Sequence, residues 1–187
     1  MDQATAAITG AEHWTTKGDV KLFLWEKRTP LAEKRGTLIF VHGSSMASTP
    51  AFDFQMPGKP DASMMEYFAR RGFDTWCVDM EGYGRSSKHR PINCGVANGA
   101  DDLEAAVEYI AKTRGTQKFH FYGSSSGALR AALYAQRHPE RVDRLVLSAF
   151  VWTGKGSPTL KERSKKLAEW KANNRRKIDR AFVQTMF

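Results

Sequence analysis

The chain has 187 residues, 41% hydrophobic and 26% charged, which suits one domain with a hydrophobic core and excludes a largely disordered protein. No apolar run approaches the roughly 18 residues of a membrane span, and the N-terminus lacks the basic and apolar regions of a secretory signal. We therefore expect a cytoplasmic protein without a membrane partner. Cys77 and Cys94 lack metal-ligand spacing, so we predict reduced thiols, no metal site and no cofactor.

Most of the net charge of +9 lies near the C-terminus. Residues 151–187 contain ten Lys and Arg against three Asp and Glu, which gives +7 and leaves +2 for residues 1–150. We interpret this segment as a solvated helical face. The alternative is a patch that attracts an anionic ligand or surface. Because these cations follow no recognition motif, we expect no nucleic-acid partner.

Short β-rich runs alternate with helical stretches along the chain, which predicts a mostly parallel sheet covered by helices. The predicted strands are residues 12–17 and 20–28, joined as a hairpin at Gly18-Asp19, then 37–41, 75–78, 119–122 and 145–151. The predicted helices are 64–71 after the cap residue Ser63, 101–112 with acids in its first turn, 128–137, and a mainly helical stretch over 160–187.

A G-x-S-x-G motif stands at Gly123-Ser124-Ser125-Ser126-Gly127, directly between the predicted strand 119–122 and helix 128–137. Strand, tight turn and helix form the setting of a nucleophile elbow. Such a turn requires small residues at both ends, here Gly123 and Gly127. The motif predicts Ser125 as a catalytic nucleophile, and the alternative is a structural Gly/Ser turn.

A second motif, His42-Gly43-Ser44-Ser45, follows the predicted strand 37–41. An acyl-transfer enzyme stabilises its oxyanion with preorganised backbone N–H groups. One donor is expected from Ser126, after the nucleophile, and the other from this earlier loop. Ser44 is the first choice for that second donor, and Ser45 is the next. We interpret His42, with Gly43, as part of the loop's structure rather than as a general base.

A third motif, D-x-x-G-x-G-x-S, begins at Asp79 after the predicted strand 75–78. The three motifs, in this order, resemble the α/β-hydrolase superfamily over about residues 12–150, and in particular its lid-bearing serine hydrolases. The resemblance implies an α/β-hydrolase fold with the first six strands of the sheet and helices on both faces. It implies an incomplete core at 1–151, the start of a helical lid at 152–187, and a structural role for Asp79.

The resemblance also implies a triad in the chain order Ser, acid, His. After Ser125, His138 is expected to end a helix and Asp143 to lie at the wrong end of a strand. The acid and histidine are therefore expected C-terminal to residue 187, so that the chain is one piece of a longer enzyme. Because a serine hydroxyl is a weak nucleophile without its base, we expect residues 1–187 alone not to be fully active. Because strand 145–151 would be an open apolar edge, we also expect them not to be readily soluble.

The sequence thus predicts a hydrolase that cleaves a carboxylic ester, or with less support an amide or lactone, through an acyl-enzyme on Ser125. The alternatives are a carbon–carbon bond hydrolase and a non-catalytic binding protein on the same scaffold. A serine argues against relatives with an aspartate nucleophile, such as epoxide hydrolases and haloalkane dehalogenases. The basic segment suggests an ester that carries a carboxylate, and the sequence leaves the oligomeric state open. Four aromatic residues could line an apolar pocket or pack a lid on the core: Trp152, Trp170, Phe182 and Phe187.

Overall fold

A computed structural model describes residues 7–30, 35–59, 61–151, 153–176 and 178–184. Six strands form one sheet in the spatial order β1-β2-β4-β3-β5-β6. The strands are β1 Thr9–Lys17, β2 Val20–Arg28, β3 Thr37–Val41, β4 Asp74–Val78, β5 Phe119–Ser124 and β6 Val142–Ser148. The helices are α1 Ser48–Phe52, α2 Met64–Ala69, α3 Val96–Arg114, α4 Ser126–Arg137, α5 Pro158–Ser164, α6 Leu167–Ala172 and α7 Arg180–Gln184.

The sheet is mostly parallel, as the sequence predicted. β1 and β2 form an antiparallel hairpin, and β2 pairs antiparallel with β4. β3 pairs parallel with both β4 and β5, and β5 pairs parallel with β6. Because the carboxyl ends of these parallel strands meet at one edge, the loops that begin at His42, Asp79 and Ser125 meet there as well.

Helices cover both faces of the sheet. On one face α3 and α4 enclose a core that includes Trp76, Leu103 and Phe121. On the other face α1 and α2 pack around Phe40 and Met65. Every residue of β3 and β4 is buried, which explains why these strands read as continuous apolar runs rather than alternating ones.

Several predicted elements have different bounds in the structure, and the differences are largest for α3 and β6. α3 begins at Val96, five residues before the predicted start, so Asp101 and Asp102 are not in its first turn. Asp102 is instead buried, where its carboxylate accepts hydrogen bonds from Glu81 N–H and Lys17 Nζ. The last strand spans Val142–Ser148 rather than 145–151, because it follows the parallel register of β5 and ends before Ala149, which has φ 51°. The sequence did not predict α1, and α4 begins two residues before its predicted start.

β6 forms the open edge of the sheet, and Val146 on it is 53% exposed. The stretch after residue 157 is mainly helical, as predicted, but it is divided into the short, largely exposed helices α5, α6 and α7. None of the described helices is long and apolar enough to cross a membrane. Both cysteines are free thiols. Of the four aromatic residues predicted to line a pocket or pack a lid, Trp152 and Phe187 lie outside the described residues.

Candidate active site

Ser125 stands at the turn between β5 and α4 with φ 55° and ψ −121°, a backbone conformation that non-glycine residues seldom adopt. Its N–H donates to the carbonyl oxygen of Ser148 at 2.9 Å, and its own carbonyl accepts from Ala128 N–H at 3.0 Å. Ser125 is exposed at the end of the strand. Strain of this kind persists where surrounding structure enforces it, and it is concentrated at functional sites.

The two glycines of the motif are required by close backbone contacts. A Cβ on Gly123 would lie 2.7 Å from Ala128 Cα, on the helix that the turn begins. A Cβ on Gly127 would lie 2.5 Å from the carbonyl oxygen of His42 and closer still to that of Val41. The start of α4 is therefore packed directly on the loop that follows β3.

The loop after β3 lies beside the elbow. A Cβ placed on Gly43 would be 3.1 Å from Ser125 Cβ, and Ser44 Oγ is 3.4 Å from Ser126 Oγ. Ser45 has a left-handed backbone with φ 78°, and its Oγ accepts a hydrogen bond from Arg176 Nη2 at 2.8 Å. The structure thus brings the sequence-predicted residues Gly43, Ser44 and Ser126 together around Ser125, with Ser45 next to them.

His42 is fully buried, and both of its ring nitrogens are engaged. Nε2 accepts from Met80 N–H at 3.1 Å, so the proton of the neutral ring is on Nδ1, which donates to the carbonyl of Gly43 at 2.7 Å. Burial, with a smaller contribution from the Arg130 charge, lowers the pKa of His42 to about 4. A neutral imidazole with no free nitrogen can fix the loop, but it cannot accept a proton from Ser125.

The low pKa of His42 makes stability depend on pH. The unfolded chain binds a proton on this ring below its ordinary pKa of 6.5, whereas the folded chain binds it only below about 4. The stabilisation is therefore complete above pH 6.5 and is lost as pH falls toward 4, on the order of 3 kcal/mol in total. We expect an NMR titration of the His42 ring to have its midpoint near 4. The His42→Asn variant should unfold with about one proton less uptake in this range, and a His42 midpoint near 6.5 would refute the account.

Arg130, on α4, is a site residue that sequence reasoning missed. It is 4% exposed, and its Nη1 donates to the carbonyl of His42 at 3.1 Å. Its guanidinium carbon lies 5.6 Å from the ring centroid of Tyr83, and a Cβ on Gly99 would come within 2.7 Å of its Nε. A buried cation therefore stabilises the loop after β3 by donating a hydrogen bond to its backbone. In the sequence Arg130 is one polar position of an amphipathic helix, so no local signal distinguished it.

Asp79, which begins the third motif, has its carboxylate saturated by structural hydrogen bonds. Oδ1 accepts from Ser48 N–H at 2.8 Å and from Ser48 Oγ at 2.6 Å, and Oδ2 accepts from Arg85 N–H at 2.8 Å. These bonds fasten the start of α1 to the turn after β4. Asp79 therefore shapes the edge of the site.

All five histidines of the chain lie among the described residues, and none has a hydrogen bond to Ser125. His138 caps the end of α4, with Glu104 at 3.7 Å. His120 lies 3.3 Å from Asp143, which is near the amino end of β6 and thus at the opposite edge from Ser125. His13 pairs with Glu26 at 2.7 Å, and His89 pairs with Asp19 at 3.0 Å.

A cavity of about 790 Å³ opens beside Ser44 and Ser45. It lies between the loops that follow β3 and β4 on one side and residues 174–176 with Ile178 on the other. Trp170 and Phe182 do not line the cavity, but their rings lie beside Arg176, which does line it. Within the described residues no group of three His, Cys, Asp or Glu side chains is placed to hold a metal ion. The cavity lining includes Glu81, Tyr83, Lys88, Arg90, Arg175, Arg176 and Ile178.

A family model of the alpha/beta hydrolase fold matches residues 36–184, so the chain belongs to the α/β-hydrolase family. Among curated proteins it is similar to proline iminopeptidase from Neisseria meningitidis, with 41% identity over 70 residues, 37% of this chain and 22% of the relative. Proline iminopeptidase from Xylella fastidiosa matches at 36% identity over 69 residues, 37% of this chain and 21% of that one. These matches thus span about a fifth of the relatives' length.

Solved structures share the fold at low sequence identity. An epoxide hydrolase from Vigna radiata has a TM-score of 0.62 and 13% identity, over 85% of this chain and 46% of that chain. A thioesterase domain from the curacin biosynthetic pathway has a TM-score of 0.62 and 16% identity, over 86% and 51%. At such identities the likeness establishes the fold alone, and the chemistry has to be argued from the site.

Proposed function

We propose that this chain is the nucleophile-bearing part of a serine hydrolase that cleaves a carboxylic ester through an acyl-enzyme on Ser125. The observation that carries the proposal is the backbone of Ser125, whose φ of 55° is maintained by close contacts at Gly123 and Gly127. A structural Gly/Ser turn has no need for a strained, exposed serine. An exposed hydroxyl at the carboxyl edge of a parallel sheet is placed for attack on a bound carbonyl.

In the proposed reaction, Ser125 Oγ attacks the ester carbonyl and its proton passes to a histidine base. The tetrahedral oxyanion is bound by the backbone N–H groups of Ser126 and Ser44, with Ser45 as the second choice for the latter. Collapse expels the alcohol, which receives the proton from the histidine. Water, activated by the same base, then hydrolyses the acyl-enzyme and regenerates Ser125. Each oxyanion donor would contribute about 3 kcal/mol of transition-state stabilisation.

The histidine base and its acid partner are proposed to lie C-terminal to residue 187, in the order typical of this fold. Support comes from the engagement of His42 and from the positions of His138 and Asp143 away from Ser125. We further propose that residues 152–187 begin a lid over the site and that residues 1–151 form the core. Hydrogen bonds from Asn174 to the carbonyl of Ile92, and from Arg176 to Ser45, join this segment to loops at the cavity.

A labelled fluorophosphonate tests the proposed nucleophile. In the complete enzyme, with its histidine base in place, it is expected to attach covalently to Ser125, because a serine activated by a neighbouring base reacts with phosphonylating agents whereas ordinary serines do not. Peptide mapping of the labelled enzyme identifies the modified residue. Ser124, in the same motif, is the internal control and should stay unlabelled. Labelling at another serine, or no labelling of an enzyme that hydrolyses esters, would reject Ser125 as the nucleophile.

A peptidase is the second candidate function, because the curated relatives with 41% identity over 70 residues are named proline iminopeptidases. Amide and ester hydrolysis share the acyl-enzyme route, so the elbow supports both. A matched pair of substrates, a p-nitrophenyl ester and a p-nitroanilide of the same acyl group, distinguishes them. We expect the ester to be the better substrate by kcat/KM even after correction for its faster spontaneous hydrolysis. Efficient release of amines from N-terminal proline substrates, with slow esters, would favour the peptidase.

A further inference from the structure

The cavity beside the oxyanion loop is strongly cationic. Among the described residues, its lining has four basic side chains and one acidic side chain, Glu81, for a net charge of +3. The basic side chains come from separate parts of the chain, the turn after β4 and the segment between α6 and α7. Two cations of the C-terminal segment, both exposed, lie at this cavity, which supports the alternative of a patch that attracts an anionic ligand. The four basic residues are Lys88, Arg90, Arg175 and Arg176.

The one acidic group of the lining is already neutralised. Glu81 is buried, and it receives hydrogen bonds from Arg90 Nε at 2.6 Å and from Lys17 Nζ at 3.3 Å. The hydrogen bond from Arg90 lowers the pKa of Glu81 to about 2, against the effect of burial. Glu81 thus offsets the charge of Arg90 and offers no free carboxylate to a positively charged ligand.

Among the basic residues of the cavity, Arg176 has a hydrogen bond to the proposed oxyanion loop. Its Nη2 donates to Ser45 Oγ at 2.8 Å, and its guanidinium lies 4.3 Å from the ring centroid of Phe182 and 6.0 Å from that of Trp170. Among the described residues, no carboxylate is within ion-pair distance of Arg176, Arg175 or Lys88. A guanidinium placed against rings in this way is oriented in advance and retains donors for a planar anion.

We propose that this cavity is a carboxylate subsite, so that the ester cleaved at Ser125 carries a carboxylate that Arg176 binds with help from Arg175. The inference rests on the proposed function and adds its substrate class. A volume of about 790 Å³ accommodates the carboxylate-bearing part of a small organic acid ester, and Ile178 and Tyr83 give the lining an apolar component beside its cations. The same charges disfavour a substrate with a free ammonium group.

Two matched substrate pairs test the subsite on the enzyme with its general base in place. One pair has the charge on the acyl side, the p-nitrophenyl hemiester of glutaric acid against p-nitrophenyl pentanoate. The other has it on the leaving group, 4-carboxyphenyl butyrate against phenyl butyrate. We expect kcat/KM to favour the charged member of at least one pair by about tenfold at low salt, and salt to reduce this preference.

The Arg176→Gln variant is expected to reduce the charged-to-neutral ratio of kcat/KM about tenfold, whereas Arg176→Lys should retain part of it. Lys161→Gln is the matched control, because it removes one exposed positive charge from α5 without touching the cavity, and its ratio should equal that of the wild type.

If Arg176→Gln slowed the charged and the neutral ester equally, the proposed subsite would be overturned. The absence of charge preference in both pairs, while Ser125 is still labelled by fluorophosphonate, would overturn it as well. An unlabelled Ser125 would instead reject the proposed function itself.

Discussion

Replacing Ser125 with alanine is expected to lower kcat by about five to six orders of magnitude, the loss typical when the nucleophile of a Ser–His–acid site is removed. The residual rate would come from oxyanion binding and substrate positioning, which remain in the variant. Alanine keeps the Cβ that already tolerates φ 55° at this position, so the fold should persist. Steady-state hydrolysis of a p-nitrophenyl ester by the complete enzyme, with its general base in place, measures the effect, and circular dichroism verifies folding.

The neighbouring Ser124→Ala variant is the matched control, since it removes a hydroxyl from the same motif but not from its central position. Its kcat should stay within a few-fold of the wild-type value. A Ser125→Ala enzyme that turns over at a tenth of the wild-type rate or faster would show that Ser125 is not the nucleophile. Equal losses in the two variants would point to a structural turn.

Replacing Gly127 with alanine is expected to destabilise the fold by at least about 3 kcal/mol, the upper range for overpacking. The added Cβ would meet the carbonyl oxygens of Val41 and His42, and these are backbone atoms of a fully buried strand and its loop. They cannot rotate away as a side chain could. Because a domain of this size loses about 2–4 °C of Tm per kcal/mol, the Tm should fall by roughly 10 °C.

Gly95→Ala is the control for this prediction. Gly95 has φ −73° and a Cβ there would meet its nearest atom, Asn93 O, only at 3.9 Å, so the change should cost less than about 1 kcal/mol. If Gly127→Ala and Gly95→Ala had the same Tm, the result would contradict a tight contact between α4 and the loop after β3. If Gly127→Ala is too unstable to accumulate, expression of folded protein is the measurement. Gly127→Ser should then also fail to accumulate, whereas Gly95→Ala should accumulate normally.

Local patterns predicted most of the sheet. β3 agrees in both bounds, and β4 differs by one residue, because a strand buried on both faces leaves a short apolar run that needs no other information. The cap residue Ser63 was also predictable, and its side chain accepts from Glu66 N–H at 3.0 Å. The elbow motif could be found because its glycines and strand–turn–helix setting are contiguous in sequence.

Other elements depended on distant partners. The first turn of α3 carries no apolar periodicity, and in the structure this end of the helix is joined to the first hairpin, because Asn98 and Asp102 accept hydrogen bonds from Lys17 Nζ. The register of β6 was set by pairing with β5, which moved the strand three residues toward the N-terminus relative to the prediction. The role of Arg130 depends on the carbonyl of His42, 88 positions earlier in the chain.

The α/β-hydrolase fold and the place of Ser125 at the centre of its turn can be read from the amino-acid sequence, because the residues that make the turn are adjacent and their chemistry is local. The surroundings of that serine depend on contacts between distant parts of the chain. Both ring nitrogens of His42 form hydrogen bonds, Arg130 is buried against the loop after β3, and Arg90, Arg175 and Arg176 line one cavity. Such groupings arise when the sheet brings remote loops to a single edge, and neither periodicity nor motif spacing encodes which side chains then meet.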